Sequence, residues 1–277
     1  MIRFRFAALL LIAYTPFVRA QDPNVEKKLL VVEQGTLPLI ISASHGGRMP
    51  IPDVPERKGN GIAKFVTARD TNTDDLADKL ASAIEKQLGG RPFVIIAKFE
   101  RKFVDANRPA KDAYESDKAK PYYEAYHAAL KNASRKVQED WGRGLLLDLH
   151  GQAADENAIY RGTNNFKSVT HLVDRFGKAG MIGPKSLFGV LTKKNYKIVP
   201  AIDSTDKEDP RFGGGFIVQT YGSAGGGTID AIQLELGGQS RALKNQAKTA
   251  ADVAEAVAVF AKEYLPTEKK RPASPQP

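Results

Sequence analysis

Leu145-Leu146-Leu147-Asp148-Leu149-His150-Gly151 sets the fold class of this chain. An apolar run of this length, ending in polar residues and a glycine, reads as a buried strand that delivers side chains at its carboxyl end. Two other segments repeat the pattern. Leu37–Ala43 runs into Ser44-His45-Gly46-Gly47, and Ile229–Leu236 contains Gln233-Leu234-Glu235. In an open α/β sheet, ligands bind outside the carboxyl ends of the strands. The chain has four histidines, and two of them occupy these strand-end positions. Two histidines and a carboxylate delivered there point to a metal site, with zinc and a hydrolytic water as the expected chemistry.

Working outward, further strands are expected over Leu29–Glu33, Pro92–Lys98, Ile159–Arg161, Phe188–Leu191 and Gly215–Tyr221. Helices are expected over Thr73–Leu88, Tyr122–Trp141, Asn165–Ala179 and Arg241–Tyr264. In the first of these, Leu76, Leu80, Ile84 and Leu88 recur every four residues and give one buried face. Gly89-Gly90 is a clean stop. Strands alternating with helices predict an α/β fold: one three-layer α/β/α domain over 21–265 around a mostly parallel or mixed sheet. Gly213–Gly215 and Gly222–Gly227 match no phosphate-binding fingerprint and read as loops or tight turns.

Arg3 and Arg5 precede the apolar stretch Phe6–Tyr14, and Val18-Arg19-Ala20 is an acceptable cleavage site. These features predict an export signal over 1–20, and hence a periplasmic or extracellular protein with no stable membrane insertion after cleavage. The apolar run is too short to span a bilayer comfortably. There is no cysteine, so disulfides and thiolate ligands are excluded. Any metal must be held by His and Asp or Glu. The net charge is +9. Loss of Arg3, Arg5 and Arg19 leaves 38 basic against 32 acidic residues, a net +6. No nucleic-acid motif accompanies this charge, so it reads as solubility, with attraction for acidic substrates. Residues 266–277, with Lys269-Lys270-Arg271 and a Pro-rich end, read as a disordered tail.

A catalytic zinc takes three protein ligands and keeps one position for water. His45 and His150 are the first two candidates. Asp74, at the start of the Leu76/Leu80/Ile84 helix, is the choice for the third, with Asp70 and Asp75 as competitors. Asp148 shares the face of His150 and suits either an orienting or a ligating role. His127 and His171 read as ordinary helix residues. Glu235 lies in an apolar strand, where an unpaired carboxylate is costly, and it is the candidate general base. Gln233 shares its face. Asn107 and Arg108 suit a substrate carboxylate, and Arg101 suits a developing oxyanion. Tyr221 is a candidate for the pocket wall.

Together these residues resemble the N-formylglutamate amidohydrolase family, a relative of the zinc carboxypeptidases and aspartoacylases. The matching pieces occur in family order: Ser44-His45-Gly46, Asp70…Asp74…Leu80, Asp105-Ala106-Asn107-Arg108, Asp148-Leu149-His150-Gly151, Gly214-Gly215…Tyr221-Gly222 and Gln233-Leu234-Glu235. The resemblance implies a phosphorylase/hydrolase-like fold and a zinc-dependent hydrolase of the amide C–N bond of an N-acyl amino acid or related small amide. It implies His45, Asp74 and His150 as ligands, Glu235 as base, and Asn107 and Arg108 as binders of a substrate carboxylate. Where the family continues with Asn-Arg, this chain has Gly237-Gly238, so a substrate-binding arginine is missing there. An extracytoplasmic member acting on another amide, such as a peptide or cell-wall fragment, is therefore expected. A carboxypeptidase-like peptidase and a non-catalytic exported binding protein are the alternatives.

Overall fold

Leu39–Ala43 and Phe93–Ala97 are buried along their whole length, as strands covered on both faces must be. They belong to a seven-stranded sheet in a computed structural model that describes residues 28–270. In chain order the elements begin β1 (Leu30–Glu33), β2 (Leu39–Ala43), α1 (Thr73–Leu88), β3 (Phe93–Ala97), α2 (Ala110–Ala113), α3 (Lys120–Trp141) and β4 (Leu145–Gly151). They continue with β5 (Ala158–Gly162), α4 (Thr170–Phe176), α5 (Ala179–Ile182), α6 (Leu187–Lys193), β6 (Lys197–Val199), α7 (Phe216–Tyr221), β7 (Asp230–Leu236), α8 (Gly238–Arg241) and α9 (Gln246–Tyr264).

The strand order is β1-β3-β2-β4-β7-β5-β6. The four central strands β3, β2, β4 and β7 are mutually parallel. β1 joins β3 antiparallel, and β5 joins β7 antiparallel. The mixed sheet with helices on both faces is the three-layer α/β/α domain expected. Alternation along each strand divides the core in two. Leu39, Ile41, Val94, Ile96, Leu145, Leu147 and Leu149 pack with α1, α6 and α9 on one face. Ile40, Phe93, Ile95, Ala97 and Leu146 pack with α3 on the other.

This order positions the site. From β2 the chain goes to β3 on one side, then crosses back to β4 on the other side of β2. The carboxyl ends of β2 and β4 therefore bracket a topological switch point, where such sheets open a crevice.

Several elements differ from the sequence reading. Phe188–Leu191 lies in α6, because Ser186 Oγ caps the turn by accepting from Gly189 N at 3.0 Å. An apolar run of four does not distinguish strand from helix. Phe216–Tyr221 is the helix α7 and not a strand. The expected helix Asn165–Ala179 is broken: Asn164, Asn165 and Phe166 all have positive φ, and Gly177 (φ 64°) separates α4 from α5. The expected Arg241–Tyr264 helix is split into α8 and α9. The three-residue β6 carried no recognisable pattern. Lys269 pairs with Asp140 at 2.8 Å and lies over the Trp141 ring, so the start of the expected tail runs back along α3. The expected signal at 1–20 and the tail at 271–277 lie outside the described residues. Among the described residues, no helix is long and apolar enough to cross a membrane.

Candidate metal centre

His45 follows β2 directly, and Gly46 lets the next element close over it. A Cβ on Gly46 would stand 2.3 Å from Asp74 N, at the start of α1. The polar loop before α1 folds back over the strand end, with Asp70 N donating to His45 O at 3.1 Å. Thr73 Oγ1 in turn donates to Asp70 O at 2.8 Å. His150 lies inside β4, opposite Glu235 of β7 in the parallel register. Three elements thus bring His45, Asp70 and His150 to one point.

The geometry there is that of a donor triangle. The Nδ1 atoms of His45 and His150 are 3.2 Å apart. Asp70 Oδ2 lies 3.0 Å from His150 Nδ1 and 3.4 Å from His45 Nδ1. Zinc bonds of about 2.0–2.2 Å in a tetrahedron place ligand atoms roughly 3.3–3.6 Å apart, so these edges are near the size a single cation needs. All three residues are buried, at 1%, 7% and 2% exposure in chain order. Among the described residues this is the one group of His, Asp and Glu able to hold a metal ion.

Each histidine is oriented from behind. Asp105 Oδ1 lies 2.7 Å from His45 Nε2, and Asp148 Oδ2 lies 2.8 Å from His150 Nε2. A carboxylate at Nε2 fixes the proton there and leaves Nδ1 free to ligate. Both carboxylates are themselves held. Ser42 Oγ donates to Asp148 Oδ1 at 2.6 Å. Arg101 Nε and Nη2 donate to Asp105 Oδ2, both at 2.9 Å.

Asp74, the ligand expected from sequence, stands outside the triangle. Its Oδ2 pairs with Lys98 Nζ at 2.9 Å. Asp70, its competitor, occupies the place instead, because the loop before α1 and not the helix itself reaches the two histidines. Asp75 pairs with Arg48 at 2.9 Å on the surface. Asp148 stands behind His150, in the orienting position of its two alternatives.

Glu235, Gln233, Asn107 and Arg101 adjoin this centre, while Arg108 and Tyr221 connect to it through the Asp105–Arg108 loop and His127. Glu235 is buried in β7, and its Oε1 accepts from Gln233 Nε2 at 2.8 Å. Gln233 Oε1 accepts from Gly215 N at 2.8 Å, so Gln233 braces Glu235 against the glycine loop. Asn107 Oδ1 accepts from Ile217 N at 2.8 Å, while its Nδ2 lies 3.4 Å from Gln233 Oε1. The half-buried Arg108 donates from Nη1 to Asn107 O at 3.0 Å. Arg101 is committed to Asp105, with Nη1 3.7 Å from Asp70 Oδ1. Tyr221 OH lies 2.9 Å from His127 Nδ1, and His127 Nε2 lies 3.0 Å from Ala106 O. Sequence reasoning passed over Asp105, which lay inside a quoted motif, and over His127, whose helical context hid its link to the Asp105–Arg108 loop.

The charges of the centre shift one another's titration strongly. Burial works against the imidazolium of His150, but the carboxylates of Asp148 and Asp70 outweigh it and hold the pKa well above the usual value. Burial likewise works against the Asp70 carboxylate, and its bonds to His150 and His45 hold it well below the usual range. Asp105 is also held low, against burial, by His45 and Arg101. Glu235 goes the other way. Burial, reinforced by Asp70 and Asp148, pushes it up to about 7 although His150 and Arg101 oppose. A carboxyl group poised near neutrality beside a candidate metal site is matched to proton transfer.

No family model matches the sequence, and no curated protein matches it. Solved structures do. The chain is similar to the N-formylglutamate amidohydrolase of Ralstonia eutropha JMP134, with a TM-score of 0.59 and 17% identity over 86% of this chain and 98% of that one. It is similar to a gene product of Agrobacterium tumefaciens, with a TM-score of 0.54 and 12% identity over 85% and 95% of the two chains. The fold is that of N-formylglutamate amidohydrolase, as the motifs in the sequence implied.

Proposed function

We propose that this protein is a zinc-dependent hydrolase of amide C–N bonds, with His45, Asp70 and His150 as the ligands and Glu235 as the proton-transfer group. The observation that carries the reading is the Nδ1–Nδ1–Oδ2 triangle, with a carboxylate at each distal imidazole nitrogen. The donor set fits zinc: two nitrogens and one oxygen at tetrahedral spacing, with three protein ligands as catalytic sites use. A zinc ion held there acidifies water and polarises a carbonyl.

The chain's own residues supply the rest. Glu235, poised near neutrality, takes a proton from the attacking water at its carboxylate and hands it to the departing amine nitrogen. Gln233 restrains one oxygen of that carboxylate and leaves the other for the proton. Asp105 and Asp148 keep both imidazoles in one tautomer. Arg101, committed to Asp105 and close to Asp70, acts on the geometry of the ligands in place of the expected oxyanion role. Arg108 keeps its guanidinium half-buried beside Asn107 and is the candidate for a substrate carboxylate.

The substrate class we assign is an N-acyl amino acid or short peptide, supported by the named fold neighbour and the basic Arg108 position. The expected export signal supports an extracytoplasmic place of action. The test is amine release by the full chain from a panel of N-acyl amino acids and dipeptides, with and without one equivalent of zinc. Zinc-dependent release from at least one member is the expected result. Turnover unchanged by a chelator would contradict the reading.

A further inference from the structure

Arg241 ends α8, five residues beyond the last residue of β7. Its guanidinium donates to carbonyls of three separate segments. Nε reaches Leu236 O at 2.9 Å, Nη2 reaches Gln152 O at 3.1 Å, and Nη1 reaches Thr71 O at 2.6 Å. Each acceptor stands next to, or two residues from, a group of the centre. Leu236 follows Glu235, Gln152 comes two residues after His150, and Thr71 follows Asp70. The backbone of the same residue holds the loop a second time, since Arg241 O accepts from Asn72 Nδ2 at 3.1 Å.

The glycine after His150 is explained by the same side chain. A Cβ on Gly151 would lie 2.6 Å from Arg241 Cζ and 2.7 Å from Nε. The guanidinium therefore lies across β4 where a side chain would otherwise stand. Its charge is also felt at the centre: burial lowers its pKa, while Asp70 and Glu235 act to raise it. A lysine cannot replace this arrangement, because its single ammonium nitrogen cannot stand in the three places from which Nε, Nη1 and Nη2 each meet a carbonyl.

We infer that Arg241 is a positioning residue of the metal centre, bridging Thr71, Gln152 and Leu236 so that Asp70 is held against His150 and the cation affinity is set. The inference rests on the reading of His45, Asp70 and His150 as cation ligands. Outer partners bonded to metal ligands are worth roughly 10- to 100-fold in affinity when removed; Arg241 acts one step further out, through the backbone of the Asp70 loop, so the low end of that range applies.

The test compares the full-length wild type with Arg241→Met, Arg241→Lys and Gly151→Ala. Zinc affinity is measured by competition with a chromophoric chelator, the visible spectrum is recorded with Co2+ in place of zinc, and the melting temperature of the metal-free protein is taken beside them. All three variants are expected to bind zinc about 10-fold more weakly, with an altered Co2+ spectrum. Gly151→Ala keeps the guanidinium and displaces it, so its loss separates position from charge. If Arg241→Met does not fold, Arg241→Lys and Gly151→Ala decide. Variants that melt earlier yet bind zinc at the wild-type affinity, with the wild-type Co2+ spectrum, would show a brace of the fold alone and overturn the inference. A wild type that takes up no zinc would instead overturn the ligand reading, and the inference with it.

Discussion

His45 and His150, which are 105 residues apart, face each other through their Nδ1 atoms at 3.2 Å across the switch point of the sheet. Two imidazole nitrogens so close, each backed by a carboxylate, share a proton or a cation. His150 lies between two carboxylates, with Asp148 Oδ2 2.8 Å from its Nε2 and Asp70 Oδ2 3.0 Å from its Nδ1. Under the proposed function, a cation bound there would take the place of protons on the two Nδ1 atoms, as ligand sites require.

In the proposed mechanism, Glu235 is the residue on which turnover depends without belonging to the ligand set. Glu235→Gln keeps the size and the bond to Gln233 while removing the proton-accepting group. Zinc content is expected to stay at the wild-type level and turnover to fall by about 10²–10⁴-fold. Paired metal analysis and rate measurement check this, and a fully active variant would remove Glu235 from the mechanism.

The metal-free protein should lose stability as pH rises through neutrality. Glu235 has a folded pKa of about 7, above its ordinary 4.5. Its contribution is therefore present below pH 4.5 and is lost as pH climbs through 7. His150, also raised, acts with the same sign, and its contribution declines above pH 6.5. Asp70, held low, contributes stability that remains through this window and fades only in acid. The Glu235 part alone is worth up to about 3 kcal/mol. Chemical denaturation of the metal-free protein between pH 5 and 8 should show the decline, and Glu235→Gln should flatten it. A profile unchanged by that substitution would speak against the buried, proton-holding Glu235.

Asp105 and Asp148 should matter to metal and not only to shape. Asp105→Asn or Asp148→Asn leaves a hydrogen-bonding group of the same size but removes the charge that raises the basicity of the imidazole. Zinc affinity is expected to fall about 10- to 100-fold in each. Chelator competition measures it, and wild-type affinity in both variants would deny the orienting role.

How much of this was legible in the sequence follows from what each signal depends on. His45, His150 and Glu235 stand out because buried strands announce themselves as apolar runs, and a polar residue at such a run's end must have a reason. The helix α1 was found from the four-residue spacing of Leu76, Leu80 and Ile84. The choice between Asp70 and Asp74 was not open to the same reasoning. Both belong to one polar segment, and only the backbone path of the loop, fixed by Asp70 N on His45 O, decides between them. Arg241 shows the same limit. Sequence registered an arginine missing after Glu235, whereas α8 carries one back over Gly151 from a few residues downstream. The helices α6 and α7 look like strands in the sequence because short apolar runs lack a period; Ser186 caps α6 with its side chain, whereas Gly215 gives α7 no side-chain cap.

The most direct test of the central claim is zinc stoichiometry by calorimetry for the wild type, Asp70→Asn and Asp74→Asn. One zinc per chain is expected in the wild type and in Asp74→Asn, with binding lost or severely weakened in Asp70→Asn. Full binding in Asp70→Asn, or loss confined to Asp74→Asn, would contradict the claim.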